Sequence, residues 1–136
     1  MKVNDEKIDV TAGTYAEIHR KWEPDDKIGL ALDMRCRVLD APHGSNRAGD
    51  NFQAVIYGPV VLARDENRDE HYLEPVKLQV KNGYIETRQV DPANSNSKLE
   101  FSVPVGDGEF ITMVDYASID NWSNGKHVCA WLPMKE

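Results

Sequence analysis

Residues 27–38 read Lys27-Ile28-Gly29-Leu30-Ala31-Leu32-Asp33-Met34-Arg35-Cys36-Arg37-Val38, and every even-numbered position from 28 to 38 is apolar. An α-helix repeats every 3.6 residues and cannot keep this pattern on one face, whereas strand side chains alternate between two faces. The stretch therefore predicts one long strand of an antiparallel sheet, with one face in water. The side chains expected to point inward are Ile28, Leu30, Leu32, Met34, Cys36 and Val38.

Shorter alternating segments, separated by turn residues, recur on both sides of this strand. Residues 15–22, 52–57 and 101–105 each place apolar side chains on alternate positions. In 81–84 the pair Asn82-Gly83 predicts a type I′ hairpin turn, because both residues accept positive φ angles. Roughly nine or ten short strands, with no helical periodicity, predict an all-β fold, an antiparallel two-layer β-sandwich of jelly-roll type. The apolar residues assigned to shared faces are Phe52, Ala54 and Ile56 in one strand and Phe101, Val103 and Val105 in another, with Trp22 and Trp131 assigned to the core.

The length and charge of the chain limit its class. At 136 residues it is expected to form a single domain, 1–136, and its net charge of −7 lacks the basic patch that nucleic-acid binding needs. No apolar run approaches the ~20 residues of a membrane helix, and the polar start is not a signal peptide. We expect no nucleic-acid partner and no membrane contact. Cys36 and Cys129 are expected to be small buried apolar residues, with a bridge between them left open.

No motif predicts catalysis, a metal site or a cofactor. The four histidines show no metal-ligand spacing. Adjacent acids occur at 65–66 and 69–70, but a glycosidase needs two carboxylates that face each other across a sugar. We interpret 65–70 as a solvated loop, with a calcium site as the alternative because hard cations bind clustered carboxylates. We predict no catalytic residue and no metal ligand.

Trp122 is the candidate binding residue, because it lies in the polar stretch 119–125. A large apolar ring there either packs under its own sandwich, contacts a neighbouring domain, or forms a platform for a sugar. Together with Asn121 and Tyr116, it makes up the predicted carbohydrate-contact or interface site.

Four segments, in order along the chain, resemble the C-terminal region of the β-L-arabinofuranosidase-like proteins of glycoside hydrolase family 127. The similar segments are Val3-Asn4-Asp5-Glu6, the strand, tryptophan and acidic turn of 15–34, the Gly58-Pro59 segment of 53–63, and 114–122 with the closing Trp131-Leu132-Pro133. Asp5 stands where that family often has glycine, and Ile119-Asp120 replaces its usual Ala-Gly.

The resemblance implies an accessory β-sandwich domain that belongs to a longer protein. In that family an N-terminal (α/α)6 barrel carries catalysis, with a glutamate and a cysteine-rich metal site that this chain does not match. The implied function is non-catalytic: the domain braces the barrel or mediates association, including self-association. The compartment is open, with a periplasmic or extracellular parent protein as the expectation. The alternative function is a carbohydrate-binding module for plant-type oligosaccharides.

Overall fold

The computed structural model describes residues 1–42, 51–92, 99–119 and 127–135. Residue contacts divide the chain into two compact units, Met1–Asp33 and Met34–Glu136, and each is described by itself. Within the described ranges the regular elements are β-strands and two short 3-10 helices, Gly106–Gly108 and Tyr116–Ser118. The all-β prediction is confirmed, and the single domain over 1–136 stays a prediction.

The first unit contains a small antiparallel sheet. Its strands are β1 (Lys2–Val3), β2 (Glu6–Lys7) and β3 (Ile28–Gly29), in the order β2-β1-β3. Val3 pairs with Glu6 on one side and Ile28 on the other, and its side chain is buried.

Hydrogen bonds around Asp26 connect the β1–β2 turn to the turn before β3. Asn4 adopts a left-handed φ of 52° and donates from Nδ2 to Asp26 Oδ1 at 2.8 Å. The other carboxylate oxygen accepts the Glu23 backbone N–H at 3.0 Å and lies 3.2 Å from the Arg20 guanidinium. Asn4 Oδ1 in turn accepts the Lys27 N–H at 2.9 Å. Polar contacts therefore position both turns of this unit.

This arrangement predicts an acid-sensitive turn. The hydrogen bond from Asn4, and then the one from the Glu23 backbone, lowers the pKa of Asp26 below its ordinary value of 3.8. A lowered folded-state pKa means that the carboxylate stabilises the fold above its unfolded pKa and that this contribution disappears as pH falls through the folded pKa. Asn4→Gly keeps the backbone angle but removes the donor, so it should raise the pKa of Asp26 toward 3.8. Carboxyl-detected NMR titration measures this, with Asn51→Gly as the control, and an unchanged Asp26 titration in Asn4→Gly would contradict the assignment.

The predicted long strand over 28–38 is wrong in its middle. Strand pairing covers Ile28–Gly29 and then β4 (Cys36–Asp40), and residues 30–35 take part in no β-pairing with the described residues. The alternating pattern is present, but a strand needs a neighbour to bond its backbone. Cys36 is buried and Val38 packs partly against the core, so the inward prediction holds only at this end. The side chains at the other end, Ile28, Leu30 and Leu32, are 58%, 64% and 56% exposed.

Two further expectations for the aromatic residues are also wrong. Residues 15–22 form no strand, and Trp22 is exposed, with the Arg20 guanidinium 5.2 Å from its ring centroid. Trp131, next to β12, is exposed as well. Alternation predicts burial only where the segment is a paired strand, and neither Trp22 nor Trp131 lies within one.

The second unit contains nine strands among its described residues. They are β4, β5 (Phe52–Tyr57), β6 (Val60–Asp65), β7 (Tyr84–Ile85), β8 (Arg88–Val90), β9 (Glu100–Pro104), β10 (Phe110–Asp115), β11 (Val128–Cys129) and β12 (Leu132–Pro133). Their order is β7-β4-β5-β6-β10-β9-β8, with β11 paired to β6 and β12 to β5, and all of these pairings are antiparallel.

Two observations show that this sheet folds over on itself. The edge strands β7 and β8 lie at opposite ends of the order, yet only residues 86–87 separate them in the chain. Tyr57 of β5 and Phe101 of β9 have ring centroids 4.7 Å apart, although three strand spacings would separate them by roughly 14 Å in a flat sheet. Two layers therefore face each other across one core, which is the β-sandwich arrangement predicted from the sequence.

The core of this unit takes alternate residues from both layers. Phe101, Val103 and Val105 are all buried, as their spacing predicts. In β5 the core residue is Val55, whereas the opposite face carries buried Ala54 between the half-buried Phe52 and Ile56. Members of the core cluster include Cys36, Val55, Leu62, Ile85, Phe101, Val103, Met113, Cys129 and Leu132.

Both cysteines are buried, as predicted, and both are free thiols, so the bridge left open by the sequence is absent. Desolvation raises the pKa of Cys36 and, in the same way, that of Cys129. The Thr87 hydroxyl donates to Cys36 Sγ at 3.1 Å. The thiols therefore act as packed core groups.

The predicted hairpin turn at 82–83 is confirmed. Asn82 and Gly83 have φ angles of 53° and 81°, and Lys81 and Tyr84 exchange backbone hydrogen bonds of 2.8 and 3.1 Å. A Cβ at Gly83 would meet nothing within 4 Å, so Gly83→Ala should cost about 1–2 kcal/mol through backbone strain alone. Urea denaturation measures the loss. Gly106→Ala, at a position without positive φ, is the matched control, and an equal loss in both variants would contradict the argument.

Candidate functional site

The structure describes only part of the segment that contains Tyr116, Asn121 and Trp122. Asn121 and Trp122 lie outside the described residues, so their role stays a prediction. Tyr116 begins the 3-10 helix Tyr116–Ser118 directly after β10, and its side chain is exposed.

The residue before Tyr116 has a structural role. Asp115 is buried, and its carboxylate accepts the Leu99 backbone N–H at 2.8 Å and the Ser118 hydroxyl. The Asp-Tyr-Ala-Ser segment, which belongs to the family resemblance, is thus a turn held by its first and last residues. The same contacts leave Tyr116 on the surface.

A buried arginine organises the charged stretch 64–74. The Arg64 side chain is only 3% exposed. Its Nε and Nη2 donate to Asp69 Oδ2 at 2.9 and 2.6 Å, while Nη2 also donates to the His71 carbonyl at 2.6 Å and Nη1 to the Glu74 carbonyl at 2.8 Å. One guanidinium therefore holds the loop that follows β6, because its several N–H groups reach one oxygen of Asp69 and two backbone carbonyls at once.

The rest of the stretch is similarly bonded, which corrects the solvated-loop interpretation of 65–70. Asp65 is buried, and its Oδ1 accepts the Asn67 N–H at 2.9 Å. Arg68 reaches Glu100 of β9 at 2.7 Å. In the described part of the chain no group of three or more His, Cys, Asp or Glu side chains could hold a metal ion, which gives the calcium alternative no support there. The sequence does contain a signal for this ion pair. Arg64 directly follows the apolar run 60–63, and an arginine buried at the end of such a strand requires a carboxylate partner.

The described residues of the second unit line at least two clefts. One has a volume of about 630 Å³ and is lined by Arg35, Tyr57 and Tyr84, among others. Its main aromatic surface is already occupied, because the Arg35 guanidinium lies 3.7 Å from the Tyr84 ring centroid. A ligand could not stack on that face of Tyr84 without displacing the arginine.

The other cleft has a volume of about 580 Å³ and lies beside the Arg64 loop. It is lined by the 74–77 segment, by Gly106 and by the first residues of β10, with Lys135 from the C-terminal segment. Phe110 lines it and is exposed.

Large apolar side chains are exposed in both units. They include Val10, Tyr15, Trp22, Ile28, Leu30 and Leu32 in the first unit, and Leu39, Leu73, Val80, Phe110, Tyr116 and Trp131 in the second. Single exposed apolar residues are ordinary, but soluble monomers rarely expose several together without a binding role.

Comparisons with family models, with curated proteins and with solved structures found no match to this chain. The resemblance to glycoside hydrolase family 127 therefore depends on the four segments quoted above. Within the described residues, no helix has the length and apolar character needed to span a membrane.

Proposed function

We propose that the chain is a non-catalytic accessory β-sandwich domain of a glycoside hydrolase family 127-like protein, and that it packs against the (α/α)6 catalytic barrel of that protein. The observation that carries the proposal is the row Ile28, Leu30 and Leu32, where three large aliphatic side chains on alternate residues are more than half exposed. Alternate residues of an extended segment lie on one face.

The energetics favour a partner over this row. Burying a leucine or isoleucine side chain contributes about 1.5–3 kcal/mol, so a surface that covered all three would gain several kcal/mol. A partner strand or surface would also bond the backbone of 30–32, which has no β-pairing with the described residues. The long strand that the sequence predicts is then complete only in the assembled protein.

Three carboxylates of the second unit, which are buried or mostly buried, support the non-catalytic part of the proposal. Asp69 is bound to Arg64, Glu100 to Arg68, and Asp115 to a backbone N–H and a hydroxyl. Each of these three carboxylates makes contacts that stabilise the fold. We expect the purified chain to release no chromophore from an aryl arabinofuranoside, and turnover that co-elutes with the chain through successive columns and is lost on unfolding would contradict this.

The exposed row also makes a prediction for the isolated chain. Replacing Ile28, Leu30 and Leu32 together by serine should reduce self-association in sedimentation velocity and lower the binding of a hydrophobic dye, with the melting of the second unit unchanged. The matched control replaces three exposed residues of the second unit, Leu39, Leu73 and Val80, by serine. Equal effects from both triple variants would show that the row has no special role.

A further inference from the structure

We infer that the cleft beside the Arg64 loop binds a carboxylate-bearing saccharide, with Lys77 and Lys135 on the carboxylate and Phe110 against the sugar ring. This inference is independent of the barrel-packing proposal, because it uses other residues, all in the second unit, and a different kind of ligand.

The backbone places the two lysines side by side. The Val76 N–H donates to the Pro133 carbonyl at 3.0 Å and the Lys135 N–H to the Val76 carbonyl at 2.9 Å, so that Val76 and Met134 form a parallel bridge. Val76 is buried and Met134 packs against the core. Since side chains alternate along paired backbones, Lys77 and Lys135 are neighbours on the opposite, cleft-facing side.

The backbone and the aliphatic part of Lys77 both contact Gly106. Its carbonyl accepts the Gly106 N–H at 2.7 Å. A Cβ built on Gly106 would lie 3.5 Å from Lys77 Cβ and 3.9 Å from its Cδ, so the aliphatic part of the lysine side chain lies along this glycine. This contact orders the first part of an exposed side chain that lines the cleft, so a ligand that binds Lys77 meets part of the ordering cost already paid.

The two lysines are the lining cations that the described fold leaves without a carboxylate partner. Arg64 and Arg68 are already paired with carboxylates. Lys77 and Lys135 have no ion-pair partner in the described part of the chain. Of the other lining carboxylates, Glu74 lies 2.9 Å from His71 Nδ1, and Glu109 has no ion-pair partner among the described residues. The protein as a whole carries a net charge of −7. Two neighbouring ammonium groups that have no carboxylate partner in the described part of the chain are suited to charge-assisted hydrogen bonds with the carboxylate of a ligand.

Phe110 adds an apolar surface to this anion site. It lies at the start of β10, opposite Pro104 of β9, and its side chain is 65% exposed. The electron-rich face of an aromatic ring attracts polarised C–H groups such as those on one side of a pyranose. The volume of about 580 Å³ falls in the usual range for small-ligand sites. A neutral sugar would use only the ring and a simple anion only the lysines, whereas a uronic-acid saccharide uses both.

The test is calorimetric titration of the full chain with digalacturonate, with digalactose as the neutral probe and inorganic phosphate as the simple anion. We expect digalacturonate to bind with an affinity that falls as salt rises. The Lys77→Gln/Lys135→Gln variant and the Phe110→Ala variant should each weaken it about tenfold or more. The control variants Lys2→Gln and Tyr15→Ala carry the same kinds of change at exposed positions outside the cleft and should change affinity less than about twofold.

Three outcomes would overturn the inference. Digalactose that binds as tightly as digalacturonate would remove the role of the lysines. Phosphate that competes with digalacturonate at equal concentration would reduce the cleft to a simple anion site. Absence of digalacturonate binding at millimolar concentration, in a chain whose thermal melting shows that it is folded, would refute the site itself.

Discussion

Replacing Arg64 by methionine should lower the free energy of unfolding by about 3–5 kcal/mol, because it removes one partner of a buried ion pair and leaves the other uncompensated. In the wild type this guanidinium donates hydrogen bonds to the Asp69 carboxylate and to the backbone carbonyls of His71 and Glu74. Urea denaturation followed by circular dichroism measures the change. Arg88→Met, at an exposed position of β8, is the matched control and should stay within about 0.5 kcal/mol of the wild type.

A second variant separates the charge effect from simple loss of packing. If the carboxylate of Asp69 is the group left uncompensated, then Arg64→Met/Asp69→Leu should recover part of the stability that Arg64→Met loses. Similar stability for Arg64→Met and Arg88→Met would mean that Arg64 does not organise the loop.

Replacing Phe101 by alanine should cost about 3–5 kcal/mol, because it opens a cavity in a packed core. Phe101 is fully buried and contacts Tyr57 from the facing layer. Phe110→Ala makes the identical change one strand away, at an exposed position, and should cost less than about 0.5 kcal/mol. Thermal melting of the two variants compares them directly, and equal losses would show that the layers do not meet at Phe101.

The sequence predicted those parts of the fold in which local pattern and environment agree. Phe101, Val103 and Val105 alternate and are buried, because β9 has a neighbour on each side and a facing layer. Asn82-Gly83 forms its turn because the backbone angles are a property of those two residues. The all-β class follows from many such local signals.

The errors occur where burial depends on a partner that alternation does not specify. Alternation assigns Ile28, Leu30 and Leu32 to one face, but it cannot say whether that face meets this chain or another surface. The same limit applies to Trp22 and Trp131, which are exposed.

The candidate sites depend on long-range contacts and were the least predictable from sequence. Lys77 and Lys135 are 58 positions apart in the numbering and become neighbours only through the bridge between Val76 and Met134. The adjacent acidic residues of 65–70 predicted a solvated loop. In the structure the buried Arg64 guanidinium binds one of these residues, Asp69. Such contacts can be predicted from sequence only when the neighbouring segments in the fold are already known.

The measurement that tests the central claim most directly is a calorimetric titration of this chain into an (α/α)6 catalytic barrel of the glycoside hydrolase family 127 type, the partner that we propose for it. We predict one chain bound per barrel, a negative heat-capacity change that reports apolar burial, and loss of binding in the variant with serine at positions 28, 30 and 32. The control variant with serine at 39, 73 and 80 should bind like the wild type. Absence of binding by the wild-type chain, or equal binding by the two serine variants, would contradict the account.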